Sequence, residues 1–331
     1  MNSRVKMLLP IMITASMLLS GCGSNMPAET QTTTSVETTT AITVTTSEIT
    51  TEKIQEVSYM EQFKDIITEL PPESYEEQLD GVEYSEFRKY TYYSSTAERD
   101  TNVNVMLPPD YSEDKEYPVL YILHGFYDNE GWMARPAVNL STIYGNLLAN
   151  GEAEEMIIVL PYMFCDKNMP YCTGMDLANC LAYDNFINDL TTDLMPFIEN
   201  EFSVAKGREN TAITGFSMGG RESLFIGFKR PDLFGYIGSV CAAPGLVEVA
   251  NSPMHPGQIT EEEMTFHENT PYLIFISSSG ADSVVGSSPD SYRKIMTENE
   301  VEYLSHVMAR TGHDHTSVKP HLYNFLKILF K

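Results

Sequence analysis

The 331-residue chain has little positive charge: 21 Lys and Arg residues face 46 Asp and Glu residues, which gives a formal net charge of -25. A negative field of this size repels phosphate-rich polymers, so the sequence predicts no nucleic-acid partner. Neutral polymers are not excluded by charge. The chain also lacks any Cys/His group at the spacing of a zinc site, and we therefore expect no metal.

The N-terminal apolar run is too short to span a bilayer comfortably. It covers residues 7–19, about thirteen residues, and follows Arg4 and Lys6, as the h-region of a signal peptide does. The run continues into Leu-Ser-Gly-Cys, which resembles the bacterial lipobox. We expect residues 1–21 to be a lipoprotein signal peptide and Cys22 to carry the lipid. An ordinary cleaved signal with an incidental cysteine is the alternative.

Cysteine is scarce, with five residues in the chain. With Cys22 lipidated, four cysteines remain in an oxidising compartment, where three disulfide pairings are open to them. Cys172 and Cys180 are close enough in sequence to bridge a loop. Cys241 ends an apolar run, so we expect it to be a buried thiol. The fourth is Cys165.

The chain is predicted to have three parts after the signal peptide. Residues 22–55 are rich in threonine and almost free of large apolar side chains, so they should form a disordered linker that holds the rest clear of the membrane. Residues 56–85 form a lead-in segment, partly helical, which breaks at Pro71-Pro72. Residues 86–331 form one large domain.

Buried strands and amphipathic helices alternate through this domain. This alternation predicts an α/β fold with a mostly parallel sheet and helices on both faces. The predicted strands are 101–107, 119–123, 156–160, 211–214, 272–277 and 302–307, and the predicted helices are 185–202, 220–229 and 319–330.

Residues 215–219 read Gly-Phe-Ser-Met-Gly, a Gly-x-Ser-x-Gly pattern between a strand and a helix. In a tight strand-to-helix turn, the two glycines relieve crowding and the serine is held clear of the sheet edge. The pattern alone could arise by chance, but its context favours Ser217 as a nucleophile. The Met218 N–H then faces developing negative charge at the helix N-terminus.

A nucleophilic serine needs a histidine base, which should follow the acid in the chain. His313 lies in a turn directly after the strand 302–307, where a loop could return its ring to Ser217. His315 is the alternative base. His306 falls inside that strand and is predicted to be structural, whereas His255 and His267 precede any plausible acid.

The acid should lie in the loop after the strand 272–277. Asp282 is placed there, and Asp290, farther along and beside a proline, is the alternative. Upstream, the strand 119–123 ends in a His-Gly turn, which in α/β-hydrolases supplies a second oxyanion donor. Here that donor is predicted to be the Phe126 N–H, with His124 as a turn residue. Trp132, in the same loop, lines the pocket or packs against it.

From about Phe87 to the C-terminus, the sequence resembles the esterase D-like branch of α/β-hydrolases, and within it carbohydrate esterase family 1. The blocks that carry the resemblance are VMLPPDY, YPVLYILHG, IIVLPY, AYDNFINDLTTDLMPFIENEFSV, ITGFSMGG, FGYIGSVCAAPG and TGHDHTSVKPHLYNFL. By position, the resemblance implies Ser217 as nucleophile, Asp282 as acid and His313 as base. It implies Phe126 and Met218 as oxyanion donors.

The sequence departs from the family at two places. The family usually has Gly-Gly shortly after His-Gly, whereas this chain has Phe126-Tyr127-Asp128, which should reshape the acyl pocket. After His313-Asp314 the family often has an aromatic residue, and here it is His315. Both changes bear on substrate choice rather than on the chemistry.

The resemblance implies a secreted, lipid-anchored serine esterase that removes feruloyl or acetyl groups from plant cell-wall polysaccharide such as xylan. The expected reaction needs no metal or organic cofactor, and the expected place is the outer face of the cell membrane. Two alternatives are a related enzyme with another substrate or acceptor, such as a siderophore esterase or a mycolyltransferase, and a non-catalytic glycan-binding lipoprotein.

Overall fold

The computed structural model describes residues 57–331. The predicted signal peptide, Cys22 and the threonine-rich linker lie outside the described residues, so their predictions stay untested. In the described part, the strands are β1 (Arg88–Ser94), β2 (Arg99–Met106), β3 (Val119–Leu123), β4 (Ile157–Pro161), β5 (Thr211–Gly215), β6 (Tyr236–Val240), β7 (Leu273–Ser279) and β8 (Leu304–Met308). The helices are α1 (Tyr59–Phe63), α2 (Leu140–Ala149), α3 (Leu177–Asp184), α4 (Phe186–Asp189), α5 (Met195–Glu201), α6 (Met218–Lys229), α7 (Ser288–Glu298) and α8 (His315–Ile328).

The eight strands form one sheet in the order β1-β2-β4-β3-β5-β6-β7-β8. The hairpin β1-β2 is antiparallel and β2 pairs antiparallel with β4, whereas β3 to β8 run parallel to one another. The predicted fold class, a mostly parallel sheet with helices, is therefore confirmed. Because parallel strands end at the same edge, the loops that follow β3, β5, β7 and β8 are brought together there.

The central strands are covered on both faces. Every residue of β3, β4, β5 and β6 is buried, which explains why β3 and β4 are continuous apolar runs rather than alternating ones. Two apolar clusters fill the two faces: one includes Tyr183 and Phe186, and the other includes Phe216 and the apolar side of α8. The sheet is thus a rigid support for the loops at its edge.

The predicted continuous helix 185–202 is wrong in detail. The structure has α4, then a π-helical turn at Leu190–Leu194, then α5. The Met195 N–H bonds to the Leu190 carbonyl, five residues back, and Pro196 follows without an N–H to donate. A proline inside a helix removes one bond of the ladder, so the local winding changes there.

Three helices and two strands were not predicted: α2, α3, α7, β1 and β6. Seven of the ten α2 residues are buried, so the helix shows no clear amphipathic pattern. Its Gly145 allows the Tyr84 ring to approach, because a Cβ at this position would lie under 3.0 Å from ring atoms. The start of α7 has Pro289 in its first turn, and a proline there is easily read as a loop residue.

The lead-in segment packs on α2 and α8 rather than standing apart. The Asn146 amide of α2 donates to the carbonyls of Tyr75 and Glu77, and the Asn324 amide of α8 donates to the Thr68 carbonyl. The helical part predicted for this segment is observed as α1 and two short 3₁₀ turns. Among residues 57–331, no helix combines the length and the hydropathy that crossing a bilayer requires.

Candidate active site

Ser217 lies in a strained turn between β5 and α6. Its φ of 57° and ψ of -115° are unusual for a residue with a side chain, and 7% of the residue is exposed. Backbone bonds hold it on both sides: Ser217 N–H donates to the Val240 carbonyl at 3.0 Å, and Ala243 N–H donates to the Ser217 carbonyl at 2.9 Å. Neighbouring strand ends therefore fix the hydroxyl in place.

The glycines at both flanks of the turn allow this close approach. A Cβ at Gly215 would lie under 3.0 Å from the backbone of Gly219, and a Cβ at Gly219 would lie under 3.0 Å from the carbonyl oxygens of Leu123 and His124. Glycine is thus required at both positions for steric reasons, and α6 can pack directly against the end of β3.

His313 and Asp282 lie in line with the serine. The distance from Ser217 Oγ to His313 Nε2 is 2.9 Å, and the distance from His313 Nδ1 to Asp282 Oδ2 is 2.6 Å. Because a carboxylate can only accept, Nδ1 carries the proton and donates it to Asp282. In the neutral ring, Nε2 is then free to accept the Ser217 hydroxyl proton. The structure thus brings together the three side chains that were predicted from sequence.

The Asp282 carboxylate is held in its charged form. Its side chain is 1% exposed. Burial acts to raise the pKa of Asp282, but the hydrogen bond from His313 and those from the N–H groups of Val284 and Val285 outweigh it and lower the pKa. The two backbone bonds, 2.8 and 3.2 Å long, fix Oδ1 and leave Oδ2 for the histidine.

The loops that carry the acid and the base are joined to each other. The Ala281 N–H donates to the Thr311 carbonyl at 3.2 Å, the Ser279 hydroxyl donates to the same carbonyl, and the Thr311 hydroxyl donates to Ser279 Oγ at 2.9 Å. These three bonds therefore tie the loop after β7 to the loop after β8, which keeps the distance between Asp282 and His313 short.

The two alternative residues lie elsewhere. Asp290 is in the first turn of α7, pairs with Arg293 and has a side chain 67% exposed. His315 is the first residue of α8, two residues past His313, and neither Ser217 nor Asp282 is its hydrogen-bond partner. The structure therefore joins Asp282 and His313, rather than these alternatives, to Ser217.

Four other histidines do not belong to the set formed by Ser217, His313 and Asp282. His306 bonds to Ser277 Oγ and to the Glu69 carbonyl, and is buried, in keeping with its predicted structural place. His321, a fully buried residue of α8, bonds to Thr214 Oγ1 and Ser277 Oγ at 2.7 Å each. His267 is exposed, and His255 packs beside Arg221.

The two predicted oxyanion donors belong to different elements at this edge. Phe126 is in the turn after β3, and Met218 is the first residue of α6. Among residues 57–331, neither the Phe126 N–H nor the Met218 N–H donates to a protein acceptor. Both donors are therefore available to a ligand that reaches Ser217.

His124 ties the turn after β3 to the loop after β4. Its Nδ1–H donates to the Gly125 carbonyl at 2.7 Å, and its Nε2 accepts the Met163 N–H at 3.1 Å. Burial lowers the pKa of His124 to about 4, so the ring is neutral and can make both bonds. This is the turn role that the sequence predicted for it.

Aromatic rings support the base from one side. Trp132 stacks on Phe216 with ring centroids 5.1 Å apart and an interplanar angle of 4°, and Phe216 lies 4.5 Å from the His313 ring. Trp132 thus acts through packing. Stacked rings restrict the imidazole to one orientation, which favours its bonds to Ser217 and Asp282.

In the described part of the chain, one set of potential metal ligands is close together: donor atoms of Cys241, Asp282 and His313 lie within 4.8 Å of one another. His313 Nδ1 and Asp282 already bond to each other, and burial raises the pKa of the Cys241 thiol to about 12. A protonated, buried thiol is a poor ligand, so the set does not fit a metal centre. Cys241 is buried as predicted, and within residues 57–331 it forms no disulfide with Cys165, Cys172 or Cys180, nor do these three with one another.

A buried charged cluster beneath the serine was missed. Arg221 on α6 is 1% exposed and pairs with Glu222 at 2.8 Å and with Asp184 of α3. Burial, together with the charge of Glu222, raises the pKa of Asp184 to about 8. No sequence signal marks this cluster, because it depends on α3 packing against α6 and α3 was not predicted.

Comparisons with known proteins agree with this geometry. Residues 94–322 match a family model described as "Putative esterase". The chain is also similar to a CE1 ferulic acid esterase from Anaeromyces mucronatus whose structure contains ferulic acid. The two are 40% identical with a TM-score of 0.76, and the alignment covers 80% of this chain and 97% of that one.

Two curated relatives are longer proteins. An endo-1,4-beta-xylanase/feruloyl esterase of Xylanibacter ruminicola is 29% identical over 178 residues, which are 52% of this chain and 24% of that protein. Endo-1,4-beta-xylanase Y of Acetivibrio thermocellus is 28% identical over 145 residues, 41% of this chain and 12% of that protein. This chain therefore matches only a minor part of the length of either.

Proposed function

Because the chain belongs to the esterase family whose model covers residues 94–322, we propose that it is a serine esterase that removes feruloyl groups from plant cell-wall polysaccharide. The observation that carries the proposal is the aligned set Ser217, His313 and Asp282 at 2.9 and 2.6 Å. The 40% identity to a ferulic acid esterase over nearly its whole length supports the acyl group.

In the proposed reaction, His313 Nε2 takes the Ser217 hydroxyl proton while Oγ attacks the ester carbonyl. Asp282 holds the ring in the tautomer that can accept this proton, and its charge stabilises the imidazolium that forms. The imidazolium then protonates the leaving sugar oxygen, and the C–O bond breaks to leave an acyl-Ser217. Water, deprotonated by His313, attacks this ester and releases the acid.

The N–H groups of Phe126 and Met218 are proposed to bind the oxyanion of both tetrahedral intermediates. They come from the turn after β3 and from the N-terminus of α6, where the helix dipole also favours negative charge. Neither N–H donates to an acceptor within residues 57–331, which supports this role. Each step uses groups of this chain and water alone.

Aromatic side chains around the turn after β3 favour an aryl acyl group over acetate. Phe126 is half-buried and 4.8 Å from the Tyr127 ring, and Tyr127 is 56% exposed. A feruloyl ring can stack on such surfaces, whereas an acetyl group is too small to use them. Acetate removal is the second candidate, because two relatives have xylanase names and the family that the sequence resembles includes acetylxylan esterases.

The test is turnover of matched feruloylated and acetylated xylo-oligosaccharides by the protein without residues 1–56. We expect kcat/KM to be at least roughly 10-fold higher for the feruloyl ester, as expected for burial of an aromatic ring. Equal or greater activity on the acetyl ester would assign acetyl groups instead. Turnover confined to siderophore esters would favour a siderophore esterase. Binding of xylan without turnover would favour a non-catalytic glycan-binding lipoprotein.

We also propose that the protein is secreted and held at the outer face of the membrane through lipid on Cys22. The run of apolar residues before a Leu-Ser-Gly-Cys sequence supports this. We expect wild type in the membrane fraction and Cys22→Ala either released or unprocessed. A wild-type protein that is free in the culture fluid with an unmodified N-terminus would contradict the proposal.

A further inference from the structure

The turn that carries the Phe126 N–H is held from the side by Tyr183 of α3. The Tyr127 N–H donates to the Tyr183 hydroxyl at 3.1 Å, and the rings of Phe126 and Tyr183 pack with centroids 5.0 Å apart. Tyr183 is 0% exposed, and burial raises its pKa, so the hydroxyl stays neutral and can accept this bond. The contact is local to the predicted oxyanion donor.

The turn needs such a support because its backbone is strained. Tyr127 has a φ of 66°, in the left-handed region that residues with a Cβ rarely occupy. A strained conformation persists only when surrounding contacts fix it. Tyr127 is more than half exposed, so packing of its own side chain does not supply this constraint. The bond to Tyr183 acts on its backbone directly.

Tyr183 is itself fixed to the helix that begins at the serine. The next residue, Asp184, pairs with the buried Arg221, and the Arg221 N–H donates to the Ser217 carbonyl at 3.0 Å. Contacts therefore run from Ser217 through Arg221 and α3 to Tyr127. The two predicted oxyanion donors, Met218 and Phe126, are the chain neighbours of its two end residues.

We propose that Tyr183 is a positioning residue for the oxyanion site: its hydroxyl fixes the turn at Phe126 and Tyr127 so that the Phe126 N–H and the Met218 N–H point at the same oxygen. The proposal rests on the proposed esterase function. The Tyr183 hydroxyl positions the Phe126 N–H, which binds the substrate oxygen most strongly when that oxygen becomes charged. Loss of the hydroxyl should therefore lower kcat rather than raise KM.

The test compares Tyr183→Phe with Tyr144→Phe, a matched control. Tyr144 is 1% exposed, and its hydroxyl also accepts a backbone N–H, from Met156 at 2.8 Å, but at the opposite edge of the sheet. Each change removes one oxygen and keeps the ring packing. Both variants should therefore fold, and Tyr144→Phe should lose at least as many degrees in Tm as Tyr183→Phe, because the Tyr144 hydroxyl also donates to the Glu154 and Met156 carbonyls.

In Tyr183→Phe, kcat on a feruloyl aryl ester should fall roughly 10- to 100-fold with KM unchanged, somewhat less than the loss of a whole oxyanion donor. The affinity for an aryl trifluoromethyl ketone, which forms an oxyanion with Ser217, should fall by the same factor. Tyr144→Phe should keep the wild-type kcat and ketone affinity.

A Tyr183→Phe enzyme with wild-type kcat would overturn the proposal and leave the hydroxyl a structural role. A raised KM with unchanged kcat would also overturn it and assign Tyr183 to substrate binding. Failure of the proposed function is seen separately, because wild type would then turn over no ester before any variant is made.

Discussion

Replacing Ser217 with alanine is expected to lower turnover of a small aryl ester by roughly 10³-fold or more while hardly changing Tm. The change removes the attacking oxygen, and the residual rate is what oxyanion binding supplies alone. Alanine at a φ of 57° keeps the strain of the turn but loses the hydrogen bond to His313. Because the change also removes a buried polar oxygen that has to be satisfied, the two effects offset each other, and stability should stay the same or rise slightly, as is common for active-site residues.

The effect of Ser217→Ala should not add to that of its partners. His313→Ala should lower turnover about as far, and the double variant should lose little more, because the residues act as one unit. Asp282→Asn should lose roughly 10²–10⁴ in kcat, since the imidazole then takes the wrong tautomer. Asp290→Asn is the matched control: its carboxylate is on α7, exposed and paired with Arg293, and turnover should be unchanged.

A serine-directed phosphonate supplies a second measurement. It should label wild type at Ser217, as found by peptide mapping, and leave Ser217→Ala unlabelled. Ester turnover that survives in Ser217→Ala, or a larger loss in Asp290→Asn than in Asp282→Asn, would contradict the assignment. If wild type showed neither label nor turnover but bound xylan, the non-catalytic interpretation would hold.

The parts of the fold that sequence predicts well are those whose local pattern has one explanation. β3 was predicted at its observed bounds, because five apolar residues follow a proline and precede a His-Gly turn. β5 and α6 flank the Gly-x-Ser-x-Gly pattern and were predicted to within one and two residues: 211–214 against the observed Thr211–Gly215, and 220–229 against Met218–Lys229. Chain order then limited the base to a turn after β8 and the acid to the loop after β7. The structure places His313 and Asp282 there, and their catalytic roles remain to be tested.

The parts that were missed depend on contacts between distant segments. α2 is buried nearly all round, so its side chains show no period that separates a helix from a buried strand. Tyr183 is in α3, where the exposed Leu177 and Leu181 obscure the amphipathic pattern, and its bond to Tyr127 spans 56 residues. The left-handed backbone of Tyr127 could not be foreseen either, because nothing in a Phe-Tyr-Asp sequence requires it.

Gly219→Ala is expected to have the largest effect on the folded structure. Its added methyl group would lie under 3.0 Å from the carbonyl oxygens of Leu123 and His124, which are backbone atoms and cannot rotate away. α6 must then move off the end of β3, where the Phe216 N–H bonds to the Leu123 carbonyl. Overpacking of this kind costs about 3 kcal/mol, and Tm should fall by about 6–12 °C.

The same movement should also lower activity, because the Met218 N–H travels with α6 while Phe126 stays with β3. A misplacement of about 1 Å at a catalytic group costs roughly 10²-fold, so kcat/KM should fall by about that factor below the unfolding temperature. Gly312→Ala is the control for Tm: its methyl group would meet Asp314 at 3.7 Å, an ordinary contact. If Gly219→Ala had the same Tm as the control, the turn between β5 and α6 would have space for the methyl group. Steric crowding between α6 and β3 would then not explain the glycine.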